Sequence, residues 1–249
     1  MDTHDIRLLV GSLVWILAVG YLVSEALTAE AWSTPYSFVR NSISDLGVTD
    51  CEQVCSPLHW YMNISFAVMG LLVIVGAVLL RRHLPPGRRR TWSVGLAVMI
   101  GVSTAATGLF PANDNPIGHF VAVLPGFVGR HILLILVAWT LWRRMRWTAV
   151  WTTVCAVIGI AGGALLAFPD AYFGLTERII LYPFPIWMVV VGVAVFVSVV
   201  RSNLLGRAAS SLPGFGPVAW RRSLALHDVT AIACPSCAGG PSTLRLGSW

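Results

Sequence analysis

The sequence predicts an all-α fold: a polytopic integral membrane protein with six transmembrane helices in one bundle. Of its residues, 56% are hydrophobic and only 11% are charged, whereas soluble domains carry about 25% charged residues. Six apolar stretches contain 19 to 24 residues each, and about 20 residues of helix cross a bilayer core. We predict spans at residues 8–28, 62–80, 92–110, 119–142, 147–168 and 179–200, within a membrane domain of residues 1–201.

The first span is predicted to be a retained helix rather than a signal peptide. Asp2 and Asp5 precede it, with Arg7 as their only basic neighbour. A secretory signal has a basic start and a cleavage pattern of small residues, and neither is evident here. Glu25 lies near the end of this span and could join the polar residues of the loop that follows.

The distribution of arginine predicts the orientation. All 17 basic residues are arginine, and most lie in alternate connections and in the tail. The positive-inside rule then places both termini in the cytoplasm, and we expect the protein in the cell membrane. The net charge of +6 thus reflects topology, and we expect no nucleic-acid partner. The clustered arginines are Arg81, Arg82, Arg88, Arg89, Arg90, Arg143, Arg144, Arg146, Arg201, Arg207, Arg221 and Arg222.

Cysteines divide between the two predicted compartments. Cys51 and Cys55 lie in the first outer loop, where oxidising conditions favour a disulfide between them. The tail, residues 202–249, is rich in Gly, Ser, Pro and Ala and is predicted to be disordered. Within it, Cys234 and Cys237 form a CPSC motif near His227, which offers three zinc ligands but lacks a second cysteine pair.

Polar residues gather in the three connections predicted to face outward. The first contains NSISDLG (residues 41–47), the second leads through an acidic turn to a histidine, and the third ends in GLTER (residues 174–178). Ionisable groups next to hydrocarbon are costly unless partnered, so they are candidates for function. The candidate ligand-binding residues are Asn41, Ser44, Asp45, Asp114, His119, Arg130, Glu177 and Arg178.

Several of these candidates also have a structural interpretation. Asp45 could cap the turn that Gly47 closes, and Asp114 could form the turn before the next helix. Glu177 and Arg178 could neutralise each other, and His119 could cap the fourth span. The sequence leaves these alternatives open.

Arg130 lies within the fourth span, roughly 17 Å from its start at His119, and His131 follows it. A charge at this depth needs a partner. Pro125 and two neighbouring glycines predict either a break in the segment or a kink. We favour a continuous, kinked helix in which Arg130 extends towards the outer surface.

The motifs resemble those of a bacterial membrane-protein family, domain of unknown function nine-nine-eight, in the six-helix DRAM-like and Sfk-like superfamily. The resemblance covers about residues 8–200. It implies a six-helix fold in the bacterial inner (plasma) membrane and raises the expectation of lipid handling by analogy only. The motif positions carried over are Asn41, Ser44, Asp45, Leu46, Gly47, Pro111, His119, Glu177 and Arg178.

Three functions remain open on this evidence. The favoured one is an outward-facing polar pocket that binds a lipid headgroup or a membrane-protein partner, with Arg130 or Arg178 pairing a phosphate. The second is an intramembrane lipid hydrolase or transferase in which His119 activates water or Ser44, or joins Asp45, Asp114 and Glu177 in a zinc site. The third is a transporter that uses Arg130, His131 and Glu25. The sequence identifies no cofactor, and small-residue patches such as 159–163 also permit a homo-oligomer.

Overall fold

A computed structural model describes residues 2–51, 55–168 and 172–210 of the chain. All regular elements in these ranges are helices. Two 3₁₀ helices, Ser44–Gly47 and Arg81–His83, accompany eight α-helices. The α-helices are α1 (Thr3–Ile16), α2 (Val19–Glu30), α3 (His59–Leu80), α4 (Arg88–Leu109), α5 (Pro116–Leu141), α6 (Arg146–Leu165), α7 (Phe173–Leu181) and α8 (Pro183–Ser210).

Six helical segments in the described residues are long and apolar enough to cross a membrane, which confirms the predicted number of spans. The protein is therefore a multi-pass membrane protein. The segments are Thr3–Glu30, His59–His83, Arg88–Leu109, Pro116–Leu141, Arg146–Leu165 and Phe173–Leu205.

The first span consists of α1 and α2, which meet at Leu17 and Ala18. The chain tightens there, because Ala18 N–H bonds the Trp15 carbonyl and Gly20 N–H bonds the Leu17 carbonyl, each three residues back. Trp15 packs against Trp187 of α8, with ring centroids 5.1 Å apart. The joint thus lies beside a large aromatic contact between the first and last spans.

The sixth span begins earlier than predicted, with α7, and continues as α8 after Tyr182. Pro183 and Pro185 start α8, where their missing N–H groups cost no hydrogen bond. Helix α8 extends to Ser210 and so includes residues 202–210, which the sequence analysis assigned to the tail. The rest of the tail, with its CPSC motif, lies outside the described residues.

The helices pack mainly with their neighbours in the chain. α3 contacts α1, α2 and α4, while α5 lies between α4 and α6, and α6 contacts α7. Gly70 and Gly101 let α3 and α4 approach closely, since a Cβ on Gly70 would overlap the Gly101 carbonyl oxygen. Large apolar side chains such as Leu71 and Ile132 are exposed on the bundle surface, as lipid contact requires.

α5 is continuous through Pro125, as the sequence analysis favoured. At Gly126, the residue after Pro125, the side chain of Ser103 from α4 interrupts the backbone hydrogen bonds of α5. The Ser103 hydroxyl accepts from Gly126 N–H at 2.8 Å and donates to the Ala122 carbonyl, two groups that would bond each other in a regular helix. An inserted side chain of this kind bends a helix.

The connections between α2 and α3 and between α4 and α5 meet at one end of the bundle, together with the start of α7. We call this the distal end. Contacts across it join Leu175 to Val39 and Thr49 to Asn113. The predicted outer motifs therefore do converge at one end of the bundle.

Candidate functional site

Arg178 of α7 anchors the first loop at the distal end. It forms an ion pair with Glu25 of α2, in which Nη2 lies 2.8 Å from Oε1 and Nε lies 2.9 Å from the same oxygen. Nη1 donates to the carbonyl oxygens of Phe38, Asn41 and Gly174 at 2.9, 2.8 and 2.9 Å. Arg178 is only 5% exposed and Glu25 only 1%, so the pair is shielded from solvent.

Tyr36 completes this network. Its hydroxyl accepts from Nη2 of Arg178 and donates to the Ser42 carbonyl at 2.7 Å. Burial raises the pKa of the Tyr36 hydroxyl above its ordinary value, so the group stays protonated and can donate. Tyr182 donates to Glu25 at 2.8 Å. Every N–H of Arg178 therefore has a protein acceptor, and these bonds hold the first loop against α2 and α7.

Ser42 and Asp45 fix the turn that leads into the 3₁₀ helix. An Asp45 carboxylate oxygen accepts from Ser42 N–H at 2.7 Å, and the Ser42 hydroxyl accepts from Asp45 N–H at 3.1 Å. This reciprocal pattern is a capping box. It gives Asp45 the turn role that the sequence analysis considered beside ligand binding.

Glu177 ties α7 to the same turn. Its Oε2 accepts from Ile43 N–H at 2.6 Å, and Ile43 is only 1% exposed. Further along, Asn63 of α3 donates to the Gly47 carbonyl at 2.9 Å. The NSISDLG and GLTER motifs are thus in direct contact, and Ser44 lies in a backbone segment that is held on both sides.

Ser44 and His119 form a hydrogen-bonded pair between the first loop and α5. Nε2 of His119 lies 3.0 Å from the Ser44 hydroxyl. Nδ1 lies 2.7 Å from the carbonyl oxygen of Phe110, which caps the end of α4. Pro111 follows Phe110 and prevents the helix from continuing. The imidazole of His119 thus lies between the Ser44 hydroxyl and the Phe110 carbonyl oxygen, which orients it.

A cleft with a volume of about 50 Å³ lies between the 3₁₀ helix that begins with Ser44 and the surrounding helices. Its lining contains residues of two chemical kinds. The apolar ones are Ile43, Phe66, Met69, Val123, Leu181, Phe184 and Pro185. The polar ones are Tyr21, Ser44, Ser103, Thr104, Thr107, Arg130 and Glu177.

Arg130 contributes the positive charge of this cleft. Its Nε donates to the Gly126 carbonyl at 2.8 Å, and Cζ lies 5.7 Å from the Phe184 ring centroid. Its two terminal nitrogens have no hydrogen-bond partner among the described residues. The Nε contact directs the side chain back towards the start of α5, about 21 Å along the helix from Pro116.

Other predicted residues lie outside the cleft. Asp114 is exposed and accepts from the Thr49 hydroxyl and from Asn113, both at 2.8 Å. Asn41 and Asp45 line a separate surface pocket of the first loop. The buried Nδ1 of His131 has no hydrogen-bond partner within the described chain.

Potential metal ligands within 4.8 Å of one another form two groups in the described ranges. Neither contains the predicted ligands Asp45, Asp114, His119 or Glu177, each of which bonds a protein group as described above. One group includes Cys51 and Cys55, which are joined in a disulfide and so offer no thiolate. The groups are Cys51, Cys55 and His59, and Asp2, His4 and Asp5.

Apart from Ser44, sequence reasoning did not find the hydroxyl side chains of the cleft. Ser103, Thr104 and Thr107 recur at positions that share one side of α4, a helical spacing that marks a polar stripe. Tyr21 lies within an apolar span and carries no such signal. Partners on other helices decide its orientation, and a single sequence does not display them.

The chain belongs to the family described as Protein of unknown function (DUF998), whose model matches residues 11–194. This range includes every residue of the cleft and of the Arg178 network. Among curated proteins and among solved structures, nothing matches the chain. The family description states no activity, so the cleft geometry is the evidence for function.

Proposed function

We propose that the cleft binds a membrane lipid through its anionic group, with Arg130 as the anchoring cation. The observation that carries this proposal is that Arg130 lines the cleft while its two terminal nitrogens have no hydrogen-bond partner in the described residues. A guanidinium within a membrane-spanning segment is costly unless it is paired. A phosphate or carboxylate would supply that pairing with two parallel hydrogen bonds.

The remaining cleft residues suit an amphiphile. Phe66, Met69 and Phe184 offer an apolar surface to an acyl chain, and the Tyr21 and Thr104 hydroxyls face the polar group from α2 and α4. Ligand sites combine a mostly apolar lining with a few fixed polar groups in this way. Both halves of a lipid would therefore find complementary surface.

A comparison of co-purified lipid tests the role of Arg130. We expect Arg130→Gln, purified in mild detergent, to retain about 10- to 150-fold less lipid than the unaltered protein, since a hydrogen-bonded charge is worth about 1.5–3 kcal/mol. Mass spectrometry of extracted lipid measures the difference. Arg88→Gln is the control, because Arg88 is exposed at the start of α4. Equal retention by Arg130→Gln and Arg88→Gln would refute the proposal.

We further propose that the distal end faces away from the cytoplasm, in the cell membrane. The basis is the excess of arginine in the connections at the opposite end, such as Arg88. Cysteine introduced at Asp114, with Cys234 and Cys237 changed to serine, should react with an impermeant maleimide on intact cells. Cysteine introduced at Arg88 should react only after lysis. The reverse pattern would overturn the orientation.

A further inference from the structure

We infer that Ser44 is an acyl-accepting nucleophile with His119 as its general base, and that the chain hydrolyses an acyl ester of an amphiphilic lipid. The inference rests on the proposed lipid-binding cleft, which brings a substrate to Ser44, and adds a chemical reaction to it. It begins from the hydrogen bond between Ser44 and His119 and from the position of Ser44 in the cleft wall.

The protonation of His119 follows from its partners. A carbonyl oxygen only accepts hydrogen bonds, so Nδ1, 2.7 Å from the Phe110 oxygen, carries the proton. In a neutral imidazole, Nε2 is then the acceptor, and the Ser44 hydroxyl, 3.0 Å away, is the donor. Nε2 is thus placed to remove the proton of the serine, which is the arrangement of an activated nucleophile.

The surroundings hold Ser44 in place. Ile43 N–H is fixed by Glu177 and Asp45 N–H by Ser42, so both peptide neighbours of Ser44 are restrained. A nucleophile reacts faster when the protein holds its backbone and side chain in the reactive position before the substrate binds. The buried ion pair of Arg178, described above, fixes the same loop from its other side.

The reaction balances with water as the only co-reactant. The Ser44 oxygen attacks the ester carbonyl while its proton passes to Nε2 of His119. The tetrahedral intermediate collapses, the carbon–oxygen bond of the ester breaks, and His119 returns the proton to the leaving alcohol. Water, deprotonated by His119, then attacks the acyl-Ser44 ester and releases the fatty acid, and the proton returns to Ser44.

The cleft also determines the class of substrate. Arg130 provides the cation for a phosphate or carboxylate, while Phe66 and Met69 face an acyl chain from α3. A substrate that spans these surfaces carries its ester bond between a charged group and a hydrocarbon chain. We therefore expect an anionic acyl ester rather than a neutral triglyceride or a peptide.

The test uses the full chain in detergent with a small, uncharged fluorophosphonate probe and a short-chain nitrophenyl ester. We expect the probe to attach to Ser44, as located by peptide mass spectrometry. Ser44→Ala should abolish both labelling and ester hydrolysis, and His119→Gln should slow both about 100-fold or more. Ser33→Ala is the control, because Ser33 is an exposed serine of the same loop.

Three results separate this inference from the lipid-binding proposal. The inference would be overturned if folded protein did not react with the probe at Ser44, or if Ser44→Ala protein hydrolysed the ester at the original rate. In either case, loss of lipid from Arg130→Gln would leave the lipid-binding proposal standing. Conversely, if Arg130→Gln keeps its lipid while Ser44 still reacts with the probe, the lipid-binding proposal fails. The assignment of Ser44 as a nucleophile is then retained, because an uncharged probe does not require Arg130.

Discussion

The ion pair between Glu25 and Arg178 should dominate the stability of the distal end. Glu25→Gln keeps the shape of the side chain but leaves the Arg178 charge buried without its counter-ion. Breaking one partner of a buried pair costs about 3–5 kcal/mol. Arg178→Gln should cost more, because the carbonyl oxygens of Phe38, Asn41 and Gly174 lose their shared donor as well.

A double-mutant cycle isolates the pair itself. With both charges removed, no uncompensated charge is buried, so the double variant should be less destabilised than the sum of the single variants. Residues that share one hydrogen-bond network couple by about 0.5–3 kcal/mol, and a buried pair should lie towards the upper end. Reversible unfolding of the purified protein in mixed micelles with increasing dodecyl sulfate measures each free energy.

The control is Glu30→Gln, which removes an exposed carboxylate at the end of the same helix, α2. We expect a change within about 0.5 kcal/mol, as for other surface substitutions. If Glu25→Gln were as mild as Glu30→Gln, or if the effects of Glu25→Gln and Arg178→Gln simply added, the pair would not hold the loop and the account of the distal end would be refuted.

Two further substitutions test the packing around the cleft, both by the same unfolding measurement. Ser103→Ala leaves Gly126 N–H of α5 without its acceptor and should reduce the free energy of unfolding by about 1–3 kcal/mol. Ser93→Ala should cost less, because the hydroxyl that it removes bonds a carbonyl of its own helix. Equal losses would contradict the conclusion that Ser103 links α4 to α5. Gly174→Ala places a Cβ against the Asn41 carbonyl oxygen and should cost about 1–3 kcal/mol, while Gly163→Ala meets no atom within 4 Å and should be neutral or stabilising.

The six spans could be predicted from the sequence because hydrocarbon sets their length and forbids charge, and both constraints act on local composition. The division of the first span at Leu17 and Ala18 could not, since neither residue breaks helices. There the backbone tightens beside the packed Trp15 and Trp187 rings. Helix ends and joints thus depend on tertiary contacts that local composition does not encode.

The candidate site was predictable in part for the same reason. Polar residues at one end of a bundle stand out against apolar spans, so Ser44, His119 and Glu177 could be named as candidates. Their partners could not be predicted, because each hydrogen bond joins distant parts of the chain. Ser44 and His119 are 75 residues apart in sequence, and Glu177 is 134 residues from Ile43.

Arg130 and Arg178 show that the role of an arginine in a membrane span depends on its hydrogen-bond partners and not only on its position in the sequence. Both Arg130 and Arg178 lie in membrane-spanning segments, and the sequence offered either one as the partner of a phosphate. Glu25, 153 residues away, neutralises Arg178 and turns it into a structural anchor for the loop that carries Ser44. Arg130 has no carboxylate hydrogen-bonded to it in the described residues and faces the cleft. The two guanidinium groups therefore differ in their hydrogen-bond partners, and this difference is the reason that we propose Arg130, and not Arg178, as the anchor for a lipid.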